Sequence, residues 1–390
     1  MDASINRSVK VLQVTIGDGS YGGIASFLYS YYSHIDRAKV RFDFLYCGRN
    51  SIISKADTPV LKDSKVTAFN VLKTNGNGIN EYRRFVKELR KYFTKNHYDV
   101  VHLDTTNVFL CVCVQYVLHG RSKIIIHSHN GKATVRYGNS IKRFLKGITR
   151  YPCKKYMISK GDYYFACSNA AGENLFGKKP LNTKKYRLIK NAIDISKYTF
   201  NPSVREEVRE TDKFVFGHVG RFTKQKNHEF LIRLYARIHE MIPKSELWLI
   251  GEGELYEDIR AQINCLGIED SVVMWGGSRD DVADLMQGMD MFIFPSWYEG
   301  LSIVTIEAQA AGLPLVTSDS ISPEHKITDL VYFLPLEKGT DYWANEIKKI
   351  KDNLPERRDT SAEVIAAGYE INQAAKELEE FYINLINKKK

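Results

Sequence analysis

Short apolar runs recur along this chain and alternate with longer stretches of helical spacing. VKVLQVTI (9–16), FDFLYC (42–47), KVTAF (65–69), YDVVHL (98–103), KIII (123–126), YYFACS (163–168) and YRLIKN (186–191) form a first series. FVFGHV (214–219), ELWLI (246–250), VVMWG (272–276), MFIF (291–294), LVT (315–317) and VYFL (331–334) form a second. Most are near-continuously apolar rather than alternating, as strands buried on both faces require. Helices are predicted over Glu81–Asn96, Val108–Leu118, about ten residues from Ser302, Thr340–Asn353 and Ser361–Lys388. Ser302 is the expected N-cap of the third, with Gly312 and Pro314 ending it. Strand and helix in alternation predict parallel sheets, and the restart at Phe214 predicts two of them. A length of 390 residues agrees, since it suits two domains of roughly 190 residues.

Two loops carry chemistry. The first lies in FIFPSWYEGLSIVTIEAQAAGLPLVTSD (292–319), a strand, a glycine-containing loop, a helix and a strand. Such loops sit outside the carboxyl ends of strands, where open α/β sheets bind ligands. The amides of Gly300, Leu301 and Ser302 would emerge from a helix N-terminus as an anion site. Glu299 and Glu307 flank it with seven residues between them. Carboxylates beside a phosphate repel it, so these acids are expected to serve hydroxyls. A sugar nucleotide presents both kinds of group. The second loop, GRFTKQKN (220–227), sets Arg221 and Lys226 five residues apart around a glycine turn, where a fork and a point charge can converge on a diphosphate.

The Glu299–Glu307 spacing, with PSWYEG before it and AAGLP after it, resembles the donor signature of retaining family-4 glycosyltransferases of GT-B fold, of the capsule and exopolysaccharide type. The resemblance covers nearly the whole chain. It implies two Rossmann-like domains with parallel sheets facing across a cleft, and a last helix crossing back to the first domain. The KNAID segment (190–194) resembles the family's interdomain link, with Ala192 where glycine is commoner. The implied domains are therefore 1–190 on the acceptor side, 191–365 for the nucleotide sugar, and 366–390 as the returning helix. The resemblance also assigns roles. Glu299 contacts the donor sugar, Glu307 holds the ribose, and Arg221 and Lys226 neutralise the diphosphate. Gly22 and Gly23 approach the donor phosphate, Gly251 passes near the base, and Arg279 follows the strand whose loop meets the base. A histidine after KIII contacts the sugar beside the reacting carbon. His129 is the first choice and His127 the second.

A rival reading exists for the N-terminus. Gly17, Gly19 and Gly22 match the dinucleotide fingerprint, and Asp43 lies roughly twenty residues on. Asp43 falls within FDFLYC, however, in mid-strand rather than at the strand end where a ribose acid belongs. An NAD-dependent oxidoreductase would rest on those glycines. A sugar-nucleotide 2-epimerase of the same fold would need no acceptor, and a non-catalytic sugar-nucleotide binder is a further possibility.

Composition narrows the partners. Residues 1–190 hold 33 Lys and Arg against 12 Asp and Glu, a charge of +21, while residues 191–390 carry −11. Such an excess points to an anionic partner surface. No nucleic-acid fold signature accompanies it, so an anionic membrane leaflet is expected to meet the basic segment 132–156. No apolar run is long enough to span a bilayer, and the N-terminus lacks a signal-peptide core. A cytoplasmic protein, peripheral on the inner face of the membrane, is the expectation. The six cysteines form no CxxC pair and read as reduced thiols. No metal site and no cofactor are expected: the two histidines at 127 and 129 lack a third ligand, and no Asp-x-Asp triplet is present. The expected activity is retaining transfer of a hexose or N-acetylhexosamine from a nucleotide sugar, UDP by family habit, to a glycan or polyprenyl-diphosphate-linked acceptor.

Overall fold

The computed structural model describes residues 7–16, 23–48, 59–69, 79–118, 120–129, 140–277 and 279–387. It divides into two compact units: the described residues up to 190 and 371–387 in the first, and those from 191 to 370 in the second. Each is an α/β/α sandwich built on one parallel sheet.

Unit 1 runs β1 (Val9–Ile16), α1 (Gly23–His34), β2 (Val40–Cys47), β3 (Val66–Phe69), α2 (Ile79–Lys95), β4 (Val100–Asp104), α3 (Val108–Leu118), β5 (Lys123–Ser128), α4 (Ser140–Lys160), β6 (Tyr163–Ala166), α5 (Asn169–Phe176), α6 (Lys178–Leu181) and β7 (Tyr186–Leu188). The sheet order is β3-β2-β1-β4-β5-β6-β7. Successive strand residues point to opposite faces. Leu12, Val14, Leu45, Val101, Leu103, Ile124 and Ile126 therefore share one core with Phe85 and Leu89 of α2 and Val114 of α3. The residues between them, Phe42, Phe44, His102, His127 and Phe165, face the other way. That second face is aromatic. Tyr32 of α1 stacks on Phe42 at 4.8 Å between centroids, and Phe27 stands edge-on to His127 at 5.1 Å.

Unit 2 runs α7 (Pro202–Val208), β8 (Phe214–Val219), α8 (His228–Met241), β9 (Ser245–Ile250), α9 (Tyr256–Cys265), β10 (Val272–Trp275), α10 (Val282–Gly288), β11 (Met291–Phe294), α11 (Ile303–Ala310), β12 (Leu315–Ser318), β13 (Val331–Leu334), α12 (Gly339–Asp352) and α13 (Ser361–Ala366). Its order, β10-β9-β8-β11-β12-β13, reverses direction between β8 and β11. Ile293, Leu247 and Leu249 pack with α8, α9 and α12; Phe292, Phe294, Trp248 and Ile250 pack with α10 and α11.

The last helix, α14 (Ile371–Asn387), belongs to unit 1. Tyr382 stands edge-on to Phe42 at 5.8 Å, Phe381 meets Phe165 at 5.1 Å, and the Glu379 carboxylate accepts from the Asp36 amide at 2.8 Å. The returning helix is thus present, but the expected single helix over Ser361–Lys388 is two. Gly368, at φ 79°, ends α13 in a conformation that a side chain disfavours. Beside it, the Ile193 amide donates to Tyr369 O at 2.9 Å.

Candidate active site

The reversal between β8 and β11 sets two loops side by side at the carboxyl ends of the unit 2 strands. Residues 220–227 follow β8, and residues 295–302 follow β11. Backbone and side chain latch them together. The Trp297 amide donates to Gln225 O at 3.0 Å, Gln225 Nε2 to Tyr298 O at 2.9 Å, and Asn227 Nδ2 to Pro295 O at 3.1 Å. Asn227 is left-handed, at φ 58°, which turns the chain directly into α8. A third connection is ionic. Lys226 Nζ lies 2.9 Å from Glu299 Oε1 and 4.4 Å from the centre of the Phe294 ring. Arg221, in the same loop, is exposed.

A second pair of loops fixes the first. Gly251, at φ 137°, lies so close to Gly220 that a Cβ would strike the Gly220 carbonyl oxygen. At Gly253 a Cβ would stand 2.7 Å from Phe222 N. The Gly220 amide donates to Ile250 O at 3.0 Å and the Phe222 amide to Glu252 O at 2.8 Å. These glycines let the loop after β9 support the Arg221–Lys226 loop backbone to backbone.

Behind the Glu299 loop, α11 carries Glu307, whose carboxyl is pushed up to about 7 by burial, against the opposing effect of a hydrogen bond from Tyr198 OH at 2.7 Å. Ser302 is the N-cap residue as expected. Its amide is already engaged, donating to His325 Nε2 at 3.1 Å, so it is not a spare donor for an anion. His325 Nδ1 is anchored on Ser322 O at 2.9 Å. Leu301 O accepts from Asn191 Nδ2 at 2.5 Å, leaving the Gly300 and Leu301 amides as the loop's candidates for phosphate. Arg279 stacks over Trp275 at 4.8 Å and pairs with Asp281, its Nε 2.7 Å from Oδ1.

In unit 1, burial separates the two candidate histidines. His127 is sealed, and burial holds its ring well below its ordinary pKa, hence neutral. His129, at 8% exposure, has Nε2 2.8 Å from Asp104 Oδ1, which leaves Nδ1 for another partner. Gly23 begins α1. Gly17, Gly19 and Gly22 lie outside the described residues. Asp43, the acid of the dinucleotide reading, is in mid-β2 with both oxygens engaged: the Lys65 amide donates at 2.8 Å and Tyr98 OH at 2.9 Å.

Tyr198, His325, Asn191, Gln225 and Asn227 escape a sequence reading. Asn191 lies inside KNAID, and Gln225 and Asn227 inside GRFTKQKN, but all five act through long-range hydrogen bonds that no local pattern announces.

Comparison with known proteins decides the family. Residues 21–197 match the model "Glycosyltransferase Family 4", and residues 200–367 match "Glycosyl transferases group 1". The chain belongs to glycosyltransferase family 4. Among its family-4 relatives, the Bacillus subtilis protein named as glycosyltransferase EpsF is 27% identical over 95% of each chain. The UDP-Gal:alpha-D-GlcNAc-diphosphoundecaprenol alpha-1,3-galactosyltransferase of Escherichia coli is 24% identical over 76% of this chain and 78% of its own. Solved structures agree on the GT-B fold. Sucrose-phosphate synthase from Thermosynechococcus elongatus superposes with a TM-score of 0.76 at 17% identity, over 97% of this chain and all of its own. Anabaena HepE, solved with UDP and glucose, gives 0.70 at 18%, over 96% and 99%.

Proposed function

We propose that this family-4 enzyme transfers a hexose or N-acetylhexosamine, with retention, from a UDP-sugar to a lipid-linked or glycan acceptor in surface polysaccharide synthesis. The observation that carries the reading is the Lys226–Glu299 pair at the β8/β11 reversal. It puts a cation for the diphosphate and an acceptor for sugar hydroxyls 2.9 Å apart, on loops braced from both sides. A diphosphate reaching Lys226 competes with Glu299 and frees that carboxylate for the sugar. The amides of Gly300 and Leu301, with Arg221, add positive potential where the leaving group gains charge. Glu307 takes the ribose, in a pocket dry enough to raise its own pKa. His129 serves the donor sugar through Nδ1, with Asp104 holding its other nitrogen. The protein's work is positioning and electrostatics, and Glu299 positions the sugar rather than attacking it.

The UDP preference draws on HepE and on the Escherichia coli galactosyltransferase, whose names specify UDP or UDP-Gal. The lipid-linked acceptor draws on that galactosyltransferase and on a Campylobacter jejuni relative, 32% identical over 42% of this chain, named for a diphospho-undecaprenol substrate. The basic unit 1 favours an anionic membrane as the place of work. Tyr151 of α4 is exposed there beside Lys155, and no helix among the described residues is long and apolar enough to cross a bilayer.

Calorimetric titration with UDP, GDP and NAD, with and without added divalent metal, tests the reading. Binding of UDP that needs no added metal and weakens in Lys226→Ala supports it. Binding of NAD with no response to either nucleoside diphosphate overturns it.

A further inference from the structure

The histidines at 127 and 129 lack a third ligand in sequence, but the fold supplies two. Strand β4 pairs with β5 so that Asp104 lies opposite His127, and His102 sits two residues earlier on the same face. His102 Nε2 is 3.2 Å from His127 Nδ1 and 3.8 Å from Asp104 Oδ1. His127 Nδ1 is 3.4 Å from that same oxygen, and His129 Nε2 is 2.8 Å from it. Two imidazole nitrogens, from His102 and His127, and one Asp104 carboxylate oxygen therefore lie within 4.8 Å of one another inside the unit 1 sandwich, with His129 held on the same oxygen.

We infer that His102, Asp104 and His127 form a buried three-residue site for a divalent transition metal, zinc by chemistry, with its fourth position left to water. Ligand atoms about 2.0–2.1 Å from a tetrahedral ion lie roughly 3.3 Å from one another, close to most of these spacings. Two imidazole nitrogens with one carboxylate oxygen form a borderline donor set, suited to zinc rather than to magnesium or calcium.

The surroundings are those of a metal site. His102 turns its other nitrogen, Nδ1, to Tyr382 OH at 2.6 Å, the outer partner that fixes a ligating imidazole. Gln13 Nε2 stands behind that hydroxyl at 3.4 Å. Asp104 is fully buried, and among the described residues its ion-pair neighbours are these three histidines, with no Lys or Arg. Asp104 Oδ2 and His127 Nε2 are sealed from solvent with no hydrogen-bond partner. A buried carboxylate so poorly compensated is costly, and a dication on Oδ1 would offset it.

The three ligand side chains are buried within unit 1, so the ion's work is structural. Its role is to pin the carboxyl ends of β4 and β5 and to fix the ring of His129. Its ligands are all unit 1 residues and none belongs to the Lys226 loop, so metal content is read separately from donor binding.

Untagged protein, purified through a chelator-containing column, should carry about one zinc per chain by elemental mass spectrometry, as a slowly exchanging buried site requires. Protein unfolded with chelator and refolded with Co2+ alone should show the visible absorption of tetrahedral cobalt. His102→Asn and Asp104→Asn should each lose the metal and the cobalt spectrum. Two results would overturn the site. One is wild-type protein with only trace metal and no tetrahedral cobalt band, which needs no variant to fold. The other is a full metal complement retained in both variants.

Discussion

Lys226 Nζ and Glu299 Oε1 lie 2.9 Å apart, joining the loop that follows β8 to the loop that follows β11. Seventy-three residues separate them in sequence, yet both sit largely out of solvent at the point where the strand order reverses. Each holds the other's charge in place, and each is assigned to a different part of one donor.

That division can be tested by removing one partner at a time. Lys226→Ala should weaken UDP binding about 10- to 100-fold, the value of one charge-assisted contact of about 1.5–3 kcal/mol. Glu299→Gln removes the competitor for Lys226. It should leave UDP affinity equal or slightly higher while sugar transfer falls. Calorimetry with UDP and a transfer assay on both variants distinguish the roles, and a UDP affinity lowered equally in both would refute them.

Glu307 predicts a pH dependence. Its folded value of about 7 lies above its ordinary 4.5, so the folded state favours the protonated acid. The stability tied to that form is fully present below the ordinary value and is lost as pH rises through about 7. Glu307→Gln keeps a neutral group throughout. Wild-type protein should therefore lose stability relative to this variant between pH 5 and 8, by up to about 2–3 kcal/mol. Thermal melts across that range give the answer. Ribose hydroxyls favour the carboxylate, so UDP affinity relative to the variant should rise over the same interval.

Tyr198→Phe deletes the hydroxyl that donates to Glu307. The carboxylate then loses its stabilising donor, and its pKa should move further up. A loss of about 1–3 kcal/mol in denaturant melts is expected at pH 8, where Glu307 is ionised, with a smaller loss at pH 5. Equal losses at both pH values would show that the hydroxyl does not act on the charge.

Gly251→Ala adds a Cβ against the Gly220 carbonyl at a backbone angle of 137°. The loop carrying Arg221 and Lys226 must shift to admit it. UDP affinity should fall severalfold although the altered residue has no charge, and Tm should drop. Gly267→Ala, at φ 64° with open space around it, should cost only its backbone strain of about 1 kcal/mol and leave UDP binding alone.

Much of this was legible in the chain. The apolar runs place both sheets because strands covered on two faces must be apolar throughout, and the glycine and proline stops bound them. Glu299, Glu307 and Lys226 stand out because their spacings follow from one loop and one turn of helix. What stayed hidden depends on distance in sequence. Ser302 reads as a free N-terminal donor until His325 arrives from beyond β12 to take its amide. Tyr198 has no motif, and it matters only because it packs beside Glu307. The Ser361–Lys388 helix reads as continuous, since a single glycine in a helical pattern is tolerated until packing asks for a turn.

By itself the sequence determined the strand–helix alternation, the two sheets and the family, and it singled out Glu299, Glu307 and Lys226 as candidates. Those are properties of periodicity and short spacing, where each residue's meaning comes from neighbours a few positions away. Only the tertiary structure decided which histidine keeps a slight exposure and which is sealed, that the Ser302 amide is already taken, and that His102 and Asp104 meet His127. Strand register and helix docking made those choices. Burial and hydrogen-bond satisfaction are set by residues that meet only when the sheet has formed.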